Sequence, residues 1–178
     1  DAFLEAISSR SFSTRGLIVE SKLPDAILRA RSVQAVQQAV KYCVSNSLKI
    51  GVRCGGHSWE PVWLKGKGSV LLDVGELNHV EIHERSLVAG PGAQGSQVLK
   101  MLPEDLFFPC GHCPGVPLGG FVLGGGYGVG FTKYSMTSML VDKIEVVLAS
   151  GEIVQASLNS SNETDRAVMG LLNGSHAC

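Results

Sequence analysis

The sequence predicts an α+β protein of one domain or slightly more. Short strand-like runs alternate with helical patterns along the 178 residues. Hydrophobic residues make up 44% of the chain, enough to build a core, and charged residues make up 17%. Glycine is unusually frequent, with 22 residues, or about 12% against an average near 7%. The glycine excess predicts segments where another group comes close to bare backbone.

The first half of the chain opens with a β-α-β pattern. Residues 26–30 form a strand-like run, Ser32 suits a helix N-cap, and residues 48–53 form a second strand that leads straight into Gly55-Gly56-His57. The helix between them carries its apolar residues on one face. Shorter elements are predicted to follow, with strands over 69–74, 80–83 and 87–89 and a helix over 94–101 that ends before Pro103.

The second half is dominated by a glycine-rich segment. Residues 111–130 hold nine glycines in twenty positions, together with Pro114 and Pro117. This composition predicts a loop that contains neither a regular helix nor a central strand. A β-hairpin is predicted next, over 141–149 and 152–156, and a final helix over 165–172.

Charge and hydropathy exclude two classes of partner. The net charge of -1 leaves no basic surface for nucleic acid. No run approaches the roughly 20 apolar residues of a transmembrane helix. Sequons at Asn159, Asn162 and Asn173 weakly favour a secretory or organellar location, although the compartment is otherwise unknown.

Two glycine-dense loops are candidates for phosphate binding. One covers residues 53–58, directly after a strand, and the other covers residues 111–128. Glycine lets backbone N–H groups approach phosphate oxygens without a Cβ in the way, so the two loops together could hold both ends of a dinucleotide. For either loop alone, a purely structural turn remains an alternative.

Three other interpretations of the sequence motifs, a Rossmann site, a thiol oxidoreductase and a zinc site, have less support. Residues 90–95 match G-x-G-x-x-G, but the following helix is short and no acidic residue stands about 20 positions on, so a structural turn is favoured over a Rossmann site. Cys110 and Cys113 form a C-x-x-C that suggests thiol oxidoreductase chemistry, but prolines follow where that chemistry needs a helix. A zinc site from these cysteines, His112 and His57 lacks a second spaced pair.

Three motifs resemble the flavin-binding domain of berberine-bridge-enzyme-like oxidases, in the vanillyl-alcohol-oxidase superfamily. They are R-C-G-G-H-S-W-E at 53–60, F-P-C-G-H-C-P at 108–114 and L-G-G-F-V-L-G-G-G-Y-G at 118–128. The resemblance runs from about residue 24 to 174 and implies FAD bound covalently through His57 and Cys113. The cofactor-binding residues it implies are Arg53, Cys54, Gly55, Gly56, His57, Ser58, Gly111, Cys113, Pro114, Gly119, Gly120, Gly124, Gly125, Tyr127, Gly128 and Ile153.

The resemblance also implies the architecture and the activity. The fold is a two-subdomain PCMH-type FAD-binding domain, with a smaller β-α-β subdomain over 24–75 and a larger, mainly antiparallel one over 76–178 that is truncated at its end. The expected reaction is hydride transfer from an organic small molecule to the flavin, with reoxidation by O2. Proline and phenylalanine, at 117 and 121, replace a small flexible residue and a histidine that are usual in the family.

What this chain lacks relative to the family bears on its activity. Family members are longer and carry the catalytic base in a substrate domain, so we expect no catalytic residue here and no turnover by this chain alone. The alternative is a non-catalytic relic that serves as a structural or accessory subunit. Val168, Leu171 and Leu172 are predicted to form an uncovered apolar face, over which a partner chain would pack.

Overall fold

A three-stranded parallel sheet forms the first half of the fold. The computed structural model describes residues 2–9 and 18–172. The sheet has the order β1-β3-β2, in which β3 pairs with both neighbours. All five residues of β3 are buried because the strand is central. The strands are β1 Ala26–Arg29, β2 Lys49–Arg53 and β3 Ser69–Asp73.

One helix covers each face of this sheet. Leu71 and Leu72 point to opposite faces because successive side chains of a strand alternate. Leu72 packs in a cluster with Ala39 of α2 (Val33–Ser45). Leu71 packs with Ile7 of α1 (Ala2–Ser8), a helix that the sequence pattern did not predict. The hydroxyl of Ser32 accepts from the Ala35 amide at 3.1 Å, which confirms the predicted N-cap.

The second half consists of antiparallel hairpins and short helices. Hairpin β4–β5 and hairpin β6–β7 each form a two-stranded sheet. Together with the parallel sheet they confirm the predicted α+β class, whereas the subdomain boundaries at residues 75 and 76 stay predictions. The elements are β4 Val80–His83, β5 Ser86–Ala89, α3 Gly95–Met101, α4 Leu118–Leu123, α5 Phe131–Tyr134, β6 Lys143–Val147, β7 Ile153–Ser157 and α6 Glu163–Gly170.

The prediction that residues 111–130 contain no helix is wrong. Helix α4 (Leu118–Leu123) lies inside this segment and follows Pro117 at its N-cap. Leu118 is 6% exposed and packs with Ala93 and Val98. Burial of one face thus outweighs the low helix propensity of two glycines, which costs roughly 1 kcal/mol each.

The predicted uncovered face of the last helix is also wrong in part. Val168 and Leu172 are buried against the β6–β7 hairpin, in a cluster that includes Ala156 and Met169, and Leu171 is 36% exposed. The helix packs on strands that precede it, and the sequence argument had considered only strands that would follow it. Exposed apolar surface lies instead on aromatic residues around α5, namely Phe107, Tyr127, Phe131 and Tyr134.

No helix of the described residues is both long and apolar enough to span a lipid bilayer. Of the three sequons, Asn162 accepts a hydrogen bond from the Thr164 amide at 2.8 Å and caps α6. Asn159 is exposed two residues after β7 ends. Asn173 lies outside the described residues.

Candidate functional site

The first glycine loop begins at the carboxyl end of β2. Cys54, Gly55, Gly56 and His57 follow the last strand residue directly, at the edge where parallel sheets commonly bind ligands. Gly56 is buried with φ +63°, in the left-handed region that favours glycine. His57 is half-buried.

Arg53 anchors the start of this loop. Its guanidinium is buried and donates to Asp73 Oδ2 at 2.7 Å, and both side chains are at most 1% exposed. It also donates to the carbonyl of Ile7 at 2.9 Å and to that of Ala6 at 3.0 Å. The guanidinium lies 4.9 Å from the ring centre of Trp63. The side chain therefore joins the ends of β2 and β3 to α1.

The two predicted glycine loops pack against each other. A Cβ on Gly55 would lie 2.4 Å from Pro117 Cγ, and a Cβ on Gly119 would lie 2.8 Å from Cys54 Sγ and 2.7 Å from Pro91 Cβ. Real Cβ atoms do not approach other atoms so closely, so both positions require glycine. The structure thus brings the first loop into contact with the N-terminal half of α4.

The second glycine loop is closed by hydrogen bonds from residues beyond it. The Thr137 hydroxyl lies within hydrogen-bond distance of the carbonyls of Pro109 and Gly126 and can donate its one proton to either. The amide of Ser138 donates to the Gly125 carbonyl at 3.2 Å. Gly128 packs on the Cys110 carbonyl, 2.5 Å from where its Cβ would be. These contacts fix the segment 125–128 as one compact turn.

That turn presents backbone donors while the carbonyls of its three glycines accept hydrogen bonds. Within the described ranges, the amides of Gly126, Tyr127 and Gly128 donate to no protein acceptor. Gly126 and Gly128 are buried, and buried amides in native proteins almost always have a partner. Consecutive amides without acceptors form the kind of concavity that binds anions.

The described cysteines show no thiol or metal centre. Cys43, Cys110 and Cys113 are free thiols. Burial raises the pKa of the Cys110 thiol, which opposes thiolate chemistry at this position. Among the described residues, no group of three or more His, Cys, Asp or Glu could hold a metal ion. The thiol oxidoreductase and zinc alternatives therefore gain no support.

The remaining predicted residues occupy four places. Cys113 is half-buried in the loop before α4, between two exposed residues, His112 and Pro114. A Cβ added to Gly111 would lie 3.5 Å from side-chain atoms of Val116 and Phe121. Others are exposed on or just after α4: Gly120, Gly124 and Tyr127. Ile153 begins β7, paired with Val147 in the last hairpin, and Ser58 is exposed in the first loop.

Sequence reasoning missed three residues that shape the site, Pro91, Thr137 and Ser138, although it noted Pro117. Pro117 packs on Gly55 and Pro91 packs on Gly119, whereas Thr137 and Ser138 bond to the second loop. The signal was present in part. A Thr-Ser pair shortly after a glycine run supplies hydroxyl groups of the kind that such a turn needs.

The chain belongs to the family described as FAD binding domain, whose model matches residues 24–157. Within that class it is a PCMH-type domain of the berberine-bridge-enzyme-like branch of the vanillyl-alcohol-oxidase superfamily. It is 33% identical over 156 residues to the FAD-linked oxidoreductase penO of Penicillium crustosum, and 30% identical over 139 residues to a xylooligosaccharide oxidase of Thermothelomyces thermophilus. These matches cover 86% and 75% of the chain.

Solved structures share the fold. BBE-like 28 of Arabidopsis thaliana superposes with a TM-score of 0.84 and 22% identity, over 98% of this chain and 36% of that protein. A chitooligosaccharide oxidase gives 0.73 and 26%, over 85% and 32%. The chain spans 34% of the length of the penO relative and 28% of the xylooligosaccharide oxidase.

The residues present fit FAD. Its diphosphate offers only acceptor oxygens, which match the unpaired amides of 126–128. A buried hydroxyl on Ser138 also lacks a protein partner. Glycines at 55 and 119 let the two loops pack closely, because the side chains of Pro117 and Cys54 occupy the space where a Cβ would lie. The cradle and its unpaired donors are features that a phosphate-bearing cofactor would satisfy.

Proposed function

We propose that this chain is the FAD-binding portion of a flavin-dependent oxidoreductase, with the cofactor held between the loop 53–58 and the segment 111–128. The contact between the two loops, together with the unpaired amides of 126–128, carries the proposal. FAD supplies the redox chemistry, accepting hydride from an organic substrate, and O2 is the proposed final electron acceptor. Titration of the flavin-free protein with FAD tests binding, and absence of saturable binding would refute the proposal.

In this function the protein binds and orients the cofactor. Arg53 acts as a positioning residue, because its guanidinium is engaged with Asp73 and α1 while its chain continues into the first loop. Glycine amides hold the diphosphate, and the half-buried His57 and Cys113 stand in the two loops as nucleophiles. His112 is exposed beside Cys113 and is assigned no catalytic role.

We further propose covalent tethering, with His57 on the flavin 8α-methyl group and Cys113 on C6. Each attachment replaces one flavin C–H bond and one N–H or S–H bond of the protein by a C–N or C–S bond. Two electrons and two protons leave in each case, and O2 takes them up as H2O2. The proposal rests on the motif positions of both nucleophiles.

Acid precipitation followed by peptide mass analysis tests the tether. The flavin should remain with the precipitated protein, on the peptides that carry His57 and Cys113. Either single alanine variant should keep flavin attached through the other residue, and the double variant should release it. His112→Ala is the matched control and should change nothing. Flavin released entirely from the unaltered protein would refute covalent attachment.

The catalytic base and the substrate wall are proposed to lie outside this chain. General-base catalysis needs a group within about 2.6 to 3.2 Å of the hydrogen-bonding partner whose proton it removes, and we assign that role to none of the described residues. The exposed aromatic surface around α5 is where added chain would find apolar contact. Steady oxidation of simple alcohols or sugars by the 178 residues alone, as a monomer, would refute this.

The alternative proposal is a structural or accessory role; the curated relative penO is about three times as long as this chain. In that alternative the flavin domain is a non-catalytic relic. A longer gene product or a partner chain that supplies the substrate domain would argue for the enzyme, and its absence would favour the relic.

A further inference from the structure

One buried hydroxyl next to the second glycine loop has no partner in the protein. Among the described residues, three buried side-chain atoms lack a hydrogen bond: Arg53 Nε, Trp63 Nε1 and Ser138 Oγ. The first two atoms belong to residues that contact each other in the core beside α1, where Arg53 Cζ lies 4.9 Å from the centre of the Trp63 ring. Ser138 is 4% exposed and stands apart from them in the chain's second half.

The backbone places Ser138 beside the unpaired amides. Its amide donates to the Gly125 carbonyl at 3.2 Å, and the amide of Thr137 donates to the Gly126 carbonyl at 3.1 Å. Residues 137–138 therefore run alongside 125–126. These bonds engage the carbonyls of Gly125 and Gly126, whereas within the described ranges the amides of Gly126, Tyr127 and Gly128 donate to no protein acceptor.

The balance of donors and acceptors indicates what the hydroxyl binds. The neighbouring carbonyls already accept hydrogen bonds, so the groups left over are mainly donors. A buried hydroxyl without a partner costs about 1–3 kcal/mol, and such groups are rare in native proteins. A ligand group with several acceptors and no donors would satisfy the hydroxyl and the amides together. Within FAD, the diphosphate has this character.

We propose that Ser138 is a cofactor-binding residue whose hydroxyl donates to the diphosphate of FAD. The inference rests on the proposed function and deepens it. A hydrogen bond to a charged acceptor is among the stronger ones, and its loss corresponds to roughly a ten- to a hundredfold change in affinity. In the cofactor-free protein the same hydroxyl has no partner among the described residues, so its removal should leave the stability unchanged or raise it.

The test compares Ser138→Ala with Ser69→Ala. Ser69 is 0% exposed, and its hydroxyl donates to the Gly66 carbonyl, far from the glycine loops in sequence. Both variants are made in the whole protein with His57→Ala and Cys113→Ala, so that FAD binding is reversible. Flavin fluorescence gives the dissociation constant, and urea unfolding of the cofactor-free protein gives its stability.

We expect the two variants to show opposite patterns. Ser138→Ala should weaken FAD and ADP binding by the same factor, roughly tenfold or more, and leave riboflavin binding unchanged. The stability of the cofactor-free protein should be unchanged or higher, because the variant removes a buried hydroxyl that has no partner among the described residues. Ser69→Ala should lower the stability and leave the FAD affinity unchanged.

Three results would overturn the assignment. One is FAD affinity within twofold of the parent in Ser138→Ala. Another is weaker riboflavin binding with ADP binding unchanged, which would move the contact to the ring end of the cofactor. The third is a loss of stability equal to that of Ser69→Ala. Failure of the parent protein to bind FAD at all would instead refute the proposed function.

Discussion

The ion pair between Arg53 and Asp73 is the sharpest place to perturb the fold beneath the site. Asp73→Asn keeps the shape of the side chain but removes its charge, which leaves the Arg53 guanidinium charged and buried. Both side chains are at most 1% exposed, and the Nη2–Oδ2 distance is 2.7 Å. Removing one partner of such a pair typically costs about 3–5 kcal/mol, that is, about a fifth or more of the stability of an ordinary domain.

Urea unfolding of the cofactor-free protein measures this cost. Arg31→Gln is the matched control because Arg31 pairs with Glu76 at 2.6 Å, a similar distance, but is 79% exposed. An exposed pair of this kind contributes about 0–1 kcal/mol, so the control should unfold close to the parent. Because both ion pairs have similar distances, the comparison separates the effect of burial on the free energy of unfolding from the effect of ion pairing itself.

A double variant separates lost charge from lost shape. Arg53→Met combined with Asp73→Leu leaves no buried charge, so it should be more stable than Asp73→Asn. It should still fall below the parent, because the carbonyls of Ala6 and Ile7 lose their donor. Equal free energies of unfolding for Asp73→Asn and Arg31→Gln would refute the argument that burial sets the cost.

Three further outcomes are expected. Gly119→Ala should weaken FAD binding and cost about 1–3 kcal/mol of stability, because its Cβ would overlap Cys54 and Pro91. Gly120→Ala, with nothing within 4 Å, should instead stabilise α4 by about 0.5–1 kcal/mol, so similar losses in both would contradict this. In native, flavin-free protein at pH 8, iodoacetamide should label Cys113 well before the buried Cys110, by peptide mass analysis. Because burial raises the Cys110 pKa above its ordinary value near 9, that thiol should reduce stability only as the pH rises past 9, where burying a thiolate becomes costly.

Local patterns in the sequence predicted most of the elements. The N-cap at Ser32, the helix after it and the hairpin around Ser150-Gly151 follow from side-chain spacing and turn residues, which act over a few positions. Helix α1 was missed because its one fully buried side chain, Ile7, gives no periodic signal over seven residues. What holds it is tertiary, namely Arg53 and the core around Trp63.

The glycine loops show the same difference between what local sequence patterns predict and what tertiary contacts decide. Their composition alone identified 53–58 and 111–128 as a candidate cofactor site, because only glycine permits such close approach to backbone. Helix α4 could not be read from that composition, because burial of Leu118 outweighs the poor propensity of its glycines. Composition also gave no indication that the Arg53 guanidinium donates to Asp73 and to a carbonyl of α1.

The sequence by itself determined the α+β class, the two glycine loops and the membership of a flavin-binding family, because each depends on residue types at fixed spacing. Only the tertiary structure decided which groups of those loops remain unpaired. Whether an amide at 126–128 or the hydroxyl of Ser138 has a partner depends on chain segments that meet from distant positions. Hydrogen-bond satisfaction is a property of the packed molecule, and spacing along the chain does not encode it.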